Sequence, residues 1–200
     1  FYVKTEKVSY TENTTAIVET GRLLSNQNVD LSAEVSGRIL AGDVTLREGT
    51  GFKKGDLLIR IFDEDARNNL KASKSRFMNS IAGILPDIKI DYASSYQKYL
   101  DFFNSIEIKK PLPPLPEPDS EQEKVFLASR NILNDYYSIK SAEVRLSRYK
   151  TYAPFDGTYT NVFLEPGSVA NPGSRIASMI RTDLLEALSS GASMYFMELD

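Results

Sequence analysis

The fold is decided by Glu34-Val35-Ser36-Gly37-Arg38-Ile39, because a stretch of the same pattern, Pro154-Phe155-Asp156-Gly157-Thr158-Tyr159, follows 120 positions later. Each stretch leads into a pair of glycines six positions apart. Glycine reaches the positive φ angles of tight turns at little cost, so these glycines are predicted to be structural turns. They are Gly37, Gly49 and Gly55 in the first copy and Gly157, Gly167 and Gly173 in the second. Each copy predicts three strands separated by turns, and two such halves can close into one small β-sandwich.

Alternation supports the strand assignment at the start of the first copy. Val29, Leu31, Ala33 and Val35 alternate with polar residues, which predicts a strand with one buried face. The preceding residues 1–28 carry short apolar runs among Thr and Ser, with a turn signal at Glu12-Asn13. This composition predicts an N-terminal β segment.

The periodicity becomes helical at residue 63. Asp63-Glu64-Asp65 offers an N-cap and an acidic first turn, both favourable at a helix start. Apolar residues then recur at helical spacing as far as Ile84, and again from Tyr92 to Ile106. Pro86 lies between these runs and predicts either a kink or a break, since proline lacks an N–H and clashes with the preceding turn.

A proline-rich stretch, residues 111–118 (PLPPLPEP), precedes the last helical run. It predicts a stiff, polyproline-like connector at the tip of an arm. Asp119 or Ser120 then begins a helix of about 30 residues whose apolar side chains recur every three or four positions. They are Val125, Ala128, Ile132, Tyr136, Ile139, Ala142, Leu146 and Tyr149. The continuous stripe predicts packing against the earlier helical runs, so residues 63–150 are expected to form an antiparallel helical hairpin.

Composition excludes several classes of function. The chain has no His and no Cys, which rules out a Ser-His-Asp triad, a thiolate nucleophile and His- or Cys-based metal sites. The net charge of −3, with Lys and Arg spread along the chain, gives no basic face for nucleic acid. We therefore expect no catalytic residue, no cofactor and no metal site, and a chain that is not an enzyme.

Two sets of residues carry a resemblance to a known family. Residues 29–39 (VDLSAEVSGRI), with Glu48-Gly49 and 55–58 (GDLL), resemble the first half of the lipoyl-like domain of periplasmic adaptor proteins. Residues 152–157 (YAPFDG), with 165–169 (EPGSV) and Pro172-Gly173, resemble the second half. These adaptors are the membrane fusion proteins of tripartite efflux pumps, a HlyD-like family. The short arm with its proline-rich stretch is most similar to adaptors of the resistance-nodulation-division (RND) type.

The resemblance implies an α+β fold in four parts. A lipoyl-like β-sandwich (a barrel-sandwich hybrid), residues 29–62 plus 151–180, is split by the inserted hairpin, residues 63–150. Partial β segments flank it at 1–28 and 181–200. The family pattern places an anchor before residue 1 and a β-barrel and membrane-proximal domain after residue 180. Residues 184–200 do not resemble the usual barrel strands. Because the family pattern places the anchor before residue 1, membrane association is expected through a segment absent from this chain.

The implied function is that of an adaptor in the periplasm of a Gram-negative bacterium, associated with the inner membrane. It would bridge an inner-membrane RND transporter to an outer-membrane channel during efflux of small compounds. Several copies are expected to form a ring or funnel. An adaptor of an ABC-type exporter or of a type I secretion system remains an alternative. A biotinyl or lipoyl carrier domain is a more remote one, because a carrier displays its modified lysine in the short turn that the hairpin occupies here.

Several residue groups could carry chemistry, but each has a simpler structural interpretation. Lys53 and Lys54 are expected to be surface lysines, and Asp63-Glu64-Asp65 to cap a helix rather than bind a hard cation. The tyrosines of 92–99 and 136–149 are expected to pack inside the hairpin rather than stack on a substrate. Leu112, Pro114 and Leu115 are candidate partner contacts at the hairpin tip, if the connector does more than join two helices.

Overall fold

The computed structural model describes residues 1–5, 7, 21–25, 28–182 and 185–189, with the backbone alone for 21–25 and 185–189. The fold is a mixture of helices and antiparallel sheets, as the sequence predicts. The strands are β1 (Gly21–Ser25), β2 (Asn28–Ser32), β3 (Gly37–Ala41), β4 (Gly51–Phe52), β5 (Leu57–Ile61), β6 (Lys150–Tyr152), β7 (Gly157–Val162), β8 (Val169–Ala170), β9 (Arg175–Arg181) and β10 (Leu185–Ser189). The helices are α1 (Glu64–Asp91), α2 (Tyr96–Ser105), α3 (Glu121–Ser129) and α4 (Ile132–Ser147).

Two four-stranded sheets are each built from both copies of the sequence repeat. One sheet has the order β2-β9-β7-β4 and the other has the order β6-β5-β3-β8. If β2, β3, β4 and β5 are exchanged with β6, β7, β8 and β9, respectively, the strand order of the first sheet becomes that of the second. The repeat in the sequence is therefore also a repeat in topology, in which each copy supplies two strands to each sheet.

Equivalent hydrogen bonds close the turns of each copy on the other copy. The N–H of Gly49 donates to the carbonyl of Tyr159 at 2.8 Å, and the N–H of Gly167 donates to the carbonyl of Ile39 at 2.8 Å. Gly49 has a φ of 79° and Gly167 a φ of 100°, in a region that side chains with a Cβ rarely enter. This conformation accounts for glycine at the same place in both copies.

Gly157 differs from the turn residue that the sequence predicts, because it lies within β7 and pairs with Phe52 and Arg181. A Cβ at this position would lie 2.4 Å from the carbonyl oxygen of Ile180 and 2.8 Å from the Phe52 ring. Glycine is needed here because of close packing and not because of a turn.

The two sheets enclose one apolar core. Leu31, Ala33 and Val35 are buried in it and Val29 packs against it, which confirms the predicted alternation. The core also contains Tyr159, Ile176, Ala177 and Met179 from the second copy. Because the core residues come from both sides of the helical insertion, neither copy buries its apolar face alone.

The first helix does not end at Pro86, so the predicted break at that position is wrong. Pro86 lies inside α1, which continues through it and ends at Asp91. The reversal of the chain follows at residues 92–95, and α2 then runs back along α1, where the rings of Phe77 and Phe102 meet edge to face at 6.2 Å.

The predicted single helix from residue 120 is interrupted. Ser120 caps α3, as predicted, but Asn131 adopts φ 59° and separates α3 from α4. Asparagine tolerates this left-handed conformation, so the break carries little strain. The apolar stripe changes register at the break: Val125 is 66% exposed, Ala128 is also exposed, and Leu127 is buried instead. The predicted stripe is therefore wrong for Val125 and Ala128 and right from Ile132 to Leu146, whereas Tyr149 packs against the core of the sheets.

The segments predicted to flank the sheets contain a two-stranded pair. Strand β1 pairs antiparallel with β10, in the register Gly21 to Ser189. Strand β10 therefore occupies part of the stretch that does not resemble barrel strands. The predicted turn at Glu12-Asn13 lies outside the described residues.

Candidate functional site

The helical unit, which consists of α1 to α4 and the segments between them, is joined to the sheets at the edge of the sheet β6-β5-β3-β8. Both chain crossings meet there, because β5 pairs with β6. The N–H of Ile61 donates to the carbonyl of Tyr149 at 2.8 Å, and the N–H of Phe62 donates to the carbonyl of Arg38 at 2.9 Å. Glu34 and Arg148 add an ion pair at 3.5 Å between the two units. Both segments that connect the helical unit to the sheets are thus held by hydrogen bonds at its base.

The proline-rich stretch is not at the tip of the helical unit, which corrects the sequence prediction. It runs beside α1 and α4, and Leu112 is 2% exposed within the helical core. Leu115 is partly buried against the same core, and Pro114 is exposed. Leu112 therefore contributes to the core, and Pro114 is the candidate contact that remains open to a partner.

Polar side chains from the helices hold the backbone of this stretch. The N–H of Leu112 donates to the Glu143 carboxylate at 2.7 Å, and its carbonyl accepts from Lys140 at 2.6 Å. The Lys74 ammonium donates to the carbonyl of Lys110 at 2.7 Å and pairs with Glu143 at 2.5 Å. Lys74 is 2% exposed, so the ion pair is largely buried, and both of its members also hydrogen-bond to the backbone of residues 110–112. We call residues 106–119 the strap.

The far end of the helical unit is formed by residues 89–96 and 119–123, which we call the tip. At its centre Glu123 is 1% exposed, and its carboxylate accepts from the Tyr99 hydroxyl at 2.7 Å and from the N–H of Asp119 at 3.0 Å. The Ser95 hydroxyl lies 2.8 Å from the carboxylates of both Glu123 and Asp119. The tip is therefore a buried polar network that fastens the start of α3 to the start of α2.

The tip network keeps its carboxylates ionised. Burial raises the pKa of Glu123, but hydrogen bonds from Tyr99, Ser95 and the Asp119 backbone, with the charge of Lys98, outweigh it and leave the pKa below its usual value. Hydrogen bonds from Lys98 and Ser95 likewise lower the pKa of Asp119. Burial, followed by the hydrogen bond to Glu123, raises the pKa of Tyr99. Sequence reasoning missed this network, because a glutamate in the first turn of a helix has the same local pattern whether it is buried or exposed.

Exposed apolar side chains identify surfaces that other molecules can cover. On the helical unit they include Ile90 at the tip, 80% exposed, and Tyr137 and Val144 on α4, 67% and 56% exposed. On the sheets, Val169 is 67% and Phe163 is 49% exposed. Ile90 lies at the tip, whereas Val144 lies beside the sheets and lines a cleft with Glu34 and Pro172, so the molecule offers more than one contact region.

The residues with possible chemistry take structural positions. Asp63 precedes α1 as predicted, but its carboxylate pairs with Arg67 at 2.5 Å instead of capping the backbone. Lys53 and Lys54 are exposed in the turn before β5, and their N–H groups donate to Asp56 and Asp156. Within the residues that the structure describes, no group of three acidic side chains is placed to hold a metal ion. Also within those residues, no helix is both long and apolar enough to cross a membrane.

Sequence comparison gives one distant relative. No family model matches the chain. An uncharacterized protein of Haemophilus influenzae is 24% identical over 175 residues, which is 88% of this chain and 39% of that protein. The chain therefore spans about two fifths of the length of this curated relative.

Solved structures show a stronger likeness. MacA from Actinobacillus actinomycetemcomitans is 23% identical with a TM-score of 0.52, over 86% of this chain and 54% of MacA. The periplasmic adaptor protein EmrA is 17% identical with a TM-score of 0.51, over 86% of this chain and 77% of EmrA. A MacA–MexA chimera that contains the α-hairpin domain of Pseudomonas aeruginosa MexA is 18% identical with a TM-score of 0.55, over 86% of this chain and 55% of the chimera. These structures are periplasmic adaptors, or membrane fusion proteins, and this chain shares their fold.

Proposed function

We propose that this chain is part of a periplasmic adaptor that bridges an inner-membrane transporter to an outer-membrane channel during efflux of small compounds. The observation that carries the proposal is a helical unit inserted between the two halves of an interleaved pair of sheets. The shared fold with EmrA and MacA supports it. In this proposal the paired sheets are a lipoyl-like domain, the helical unit is the hairpin that divides it, and the chain has no cofactor and is not an enzyme.

The build of the helical unit suits a spacer of fixed length. Helix α1 has 28 residues, which at 1.5 Å per residue gives a rod of about 42 Å. Helix α4, α2 and the strap all pack on this rod, and beyond its far end the tip network fastens the start of α3 to the start of α2. A rod that is braced along its side holds its tip at a set distance from the sheets. Adjustment of the helical unit near residues 62–63 and 150–151 is part of the proposal.

The proposal gives separate partners to separate surfaces. Ile90 and Pro114 are the exposed candidates for contact with the outer-membrane channel. Phe163 and Val169 on the sheets are candidates for contact with neighbouring copies in a ring, or with the transporter. The transporter is proposed to be of the RND type, and the protein is proposed to lie in the periplasm of a Gram-negative bacterium at the inner membrane.

Site-specific crosslinking tests this assignment in the full-length protein in its own bacterium. A photo-reactive residue at Ile90 is expected to capture an outer-membrane channel, identified by mass spectrometry. The same residue at Val144, 56% exposed on the side of the helical unit, is the matched control and is expected to capture no channel. Channel capture that is equal at both positions, or absent at Ile90, contradicts the proposed orientation.

The same method separates the remaining functions. Crosslinks from Val169 to a transporter with a nucleotide-binding domain favour the ABC-type or type I secretion alternative over the RND type. Intact-mass measurement addresses the carrier alternative, because a lipoyl or biotinyl adduct on Lys53 or Lys54 adds a defined mass. The proposed adaptor carries no such adduct.

A further inference from the structure

A cleft opens between the sheet-proximal ends of α1 and α4 and the start of the strap. Its volume is about 590 Å³, and small-molecule sites commonly have volumes of about 300–1,000 Å³. Leu70, Ile108, Pro111 and Leu146 form its apolar lining. Leu70 is 8% exposed and Ile108 is 40% exposed, so the lining runs from the helical core to the open surface. This surface fits a hydrocarbon chain of limited length.

The same cleft concentrates positive charge in a chain whose net charge is −3. Six of the 24 Lys and Arg residues line it, against two acidic residues. Both acids already have a cation: Asp63 pairs with Arg67 at 2.5 Å, and Glu143 pairs with Lys74 at 2.5 Å. The carboxylates of the cleft therefore offer little to a further cation.

Three lysines of the cleft have no carboxylate of their own. Lys110 pairs with Glu107 at 2.7 Å, outside the cleft lining. The side chains of Lys71, Lys109 and Lys150 make no ion pair and no hydrogen bond with another described residue, and they come from three different elements. Their mutual repulsion is relieved by an anion placed among them.

We propose that this cleft binds a monomeric amphipathic anion, such as a medium-chain carboxylate. The head group lies among Lys71, Lys109 and Lys150, and the chain lies on Leu70 and Leu146. A nucleic acid or an acidic peptide would leave the apolar lining unused, whereas a cation would meet a surplus of like charge. The proposed adaptor function requires no such ligand, so this site stands independently of it.

Binding is also expected to stabilise the folded state of the helical unit. The ligand contacts α1, α4 and the strap together, and a ligand that binds only the folded state stabilises it in proportion to the logarithm of its concentration over Kd. Decanoate is therefore expected to raise the midpoint of thermal unfolding of the helices. This effect gives a second readout beside direct binding.

Titration calorimetry on the full chain provides the test, with decanoate below its critical micelle concentration. Saturable binding at one site is expected for decanoate. Two comparators, acetate with the same head group and decyltrimethylammonium with the same chain, are expected to bind at least about tenfold more weakly. Equal binding of the cation, the absence of saturable binding, or binding to anionic vesicles but not to monomeric decanoate overturns the proposal.

Charge reversal locates the site. The double variant Lys71→Glu/Lys109→Glu is expected to lose about tenfold or more in affinity. Lys53→Glu/Lys54→Glu makes the same charge change on the exposed turn of the sheets and is expected to change the affinity less than about twofold. Lys109→Glu alone, on an exposed loop residue, is expected to weaken binding even if the double variant fails to fold. An equal loss in the two double variants shows that net charge alone is responsible and refutes the site.

Discussion

The tip network should contribute strongly to the stability of the helical unit, and Glu123→Ala tests this directly. Glu123 is 1% exposed and Tyr99 is 0% exposed, so water cannot replace the hydrogen bond that joins them. The substitution also removes the acceptor of the Asp119 N–H and one of the two carboxylates that pair with Lys98, at 3.6 Å, while Asp119 remains 2.7 Å from Lys98. The variant therefore leaves the Tyr99 hydroxyl and the Asp119 N–H without this acceptor, whereas Ser95 and Lys98 keep Asp119.

The expected cost follows from these contacts. A hydrogen bond to a charged group contributes about 1.5–3 kcal/mol, and a buried group left unpaired costs about 1–3 kcal/mol. Removing one partner of a buried charged network costs about 3–5 kcal/mol in total, since such contributions do not add. We therefore expect Glu123→Ala to lower the free energy of unfolding of the helical unit by about 4 kcal/mol.

Equilibrium urea unfolding, followed by helical circular dichroism, measures this cost. Glu121→Ala is the matched control on the first turn of the same helix. The Glu121 side chain is 86% exposed and lies 3.5 Å from Lys124, so its loss should cost less than about 0.5 kcal/mol. A double-mutant cycle of Glu123→Ala with Tyr99→Phe should give a coupling energy of about 1–2 kcal/mol. If Glu123→Ala costs no more than Glu121→Ala, the inference of a buried, fully bonded carboxylate is wrong.

Three further predictions concern acidity, close packing and the strap. As pH falls from about 6 to 3, unfolding should become easier, because the pKa of Glu123 is depressed in the folded state and the unfolded chain binds more protons; Glu123→Gln should flatten this slope in urea titrations. Gly157→Ala should cost about 1–3 kcal/mol by overpacking, whereas Gly83→Ala should gain about 0.5–1 kcal/mol on the same measurement, because a Cβ at Gly83 meets nothing within 4 Å. Lys74→Ala should cost about 3–5 kcal/mol by taking from Glu143 its closer cation, at 2.5 Å, and leaving only Lys140 at 3.7 Å. Lys71→Ala, which breaks no ion pair or hydrogen bond with a described residue, should cost less than about 0.5 kcal/mol by thermal unfolding. A cost for Lys71→Ala equal to that of Lys74→Ala would contradict the assigned ion pair.

The sheets could be predicted from sequence because their information is local and repeated. The glycine spacing fixes where each copy turns, and the alternation from Val29 to Val35 fixes which face is buried. Spacing cannot distinguish a glycine that a turn needs for its positive φ from a glycine whose neighbours leave no room for a Cβ, since both positions exclude other residues. Gly157 belongs to the second kind, and it became recognisable only when the Ile180 carbonyl was placed beside it.

The helical unit was harder to predict because its ends depend on tertiary contacts. Pro86 was a plausible break, yet α1 passes through it and reverses after Asp91. The break at Asn131 carries no proline or glycine signal, and it shifts the buried positions from Val125 to Leu127. The buried Glu123 and the partly buried Glu143 have the same local sequence character as exposed glutamates. Their roles follow from partners distant in sequence, the Ser95 and Tyr99 hydroxyls for Glu123 and the Leu112 N–H for Glu143, which periodicity does not report.

The strap shows how a segment without helix or strand can still have a single register. Between residues 111 and 118, only Leu112, Leu115 and Glu117 possess an N–H, because the other five residues are proline. The N–H of Leu112 meets Glu143 at 2.7 Å, and a slip of one residue would place Pro111 or Pro113 there and leave a largely buried carboxylate without this donor. Such a loss costs about 1–3 kcal/mol, which is enough to select one register. The prolines thus stiffen the strap and also restrict where it can bind, and because the strap contacts both α1 and α4, a fixed register fixes how those two helices lie against each other.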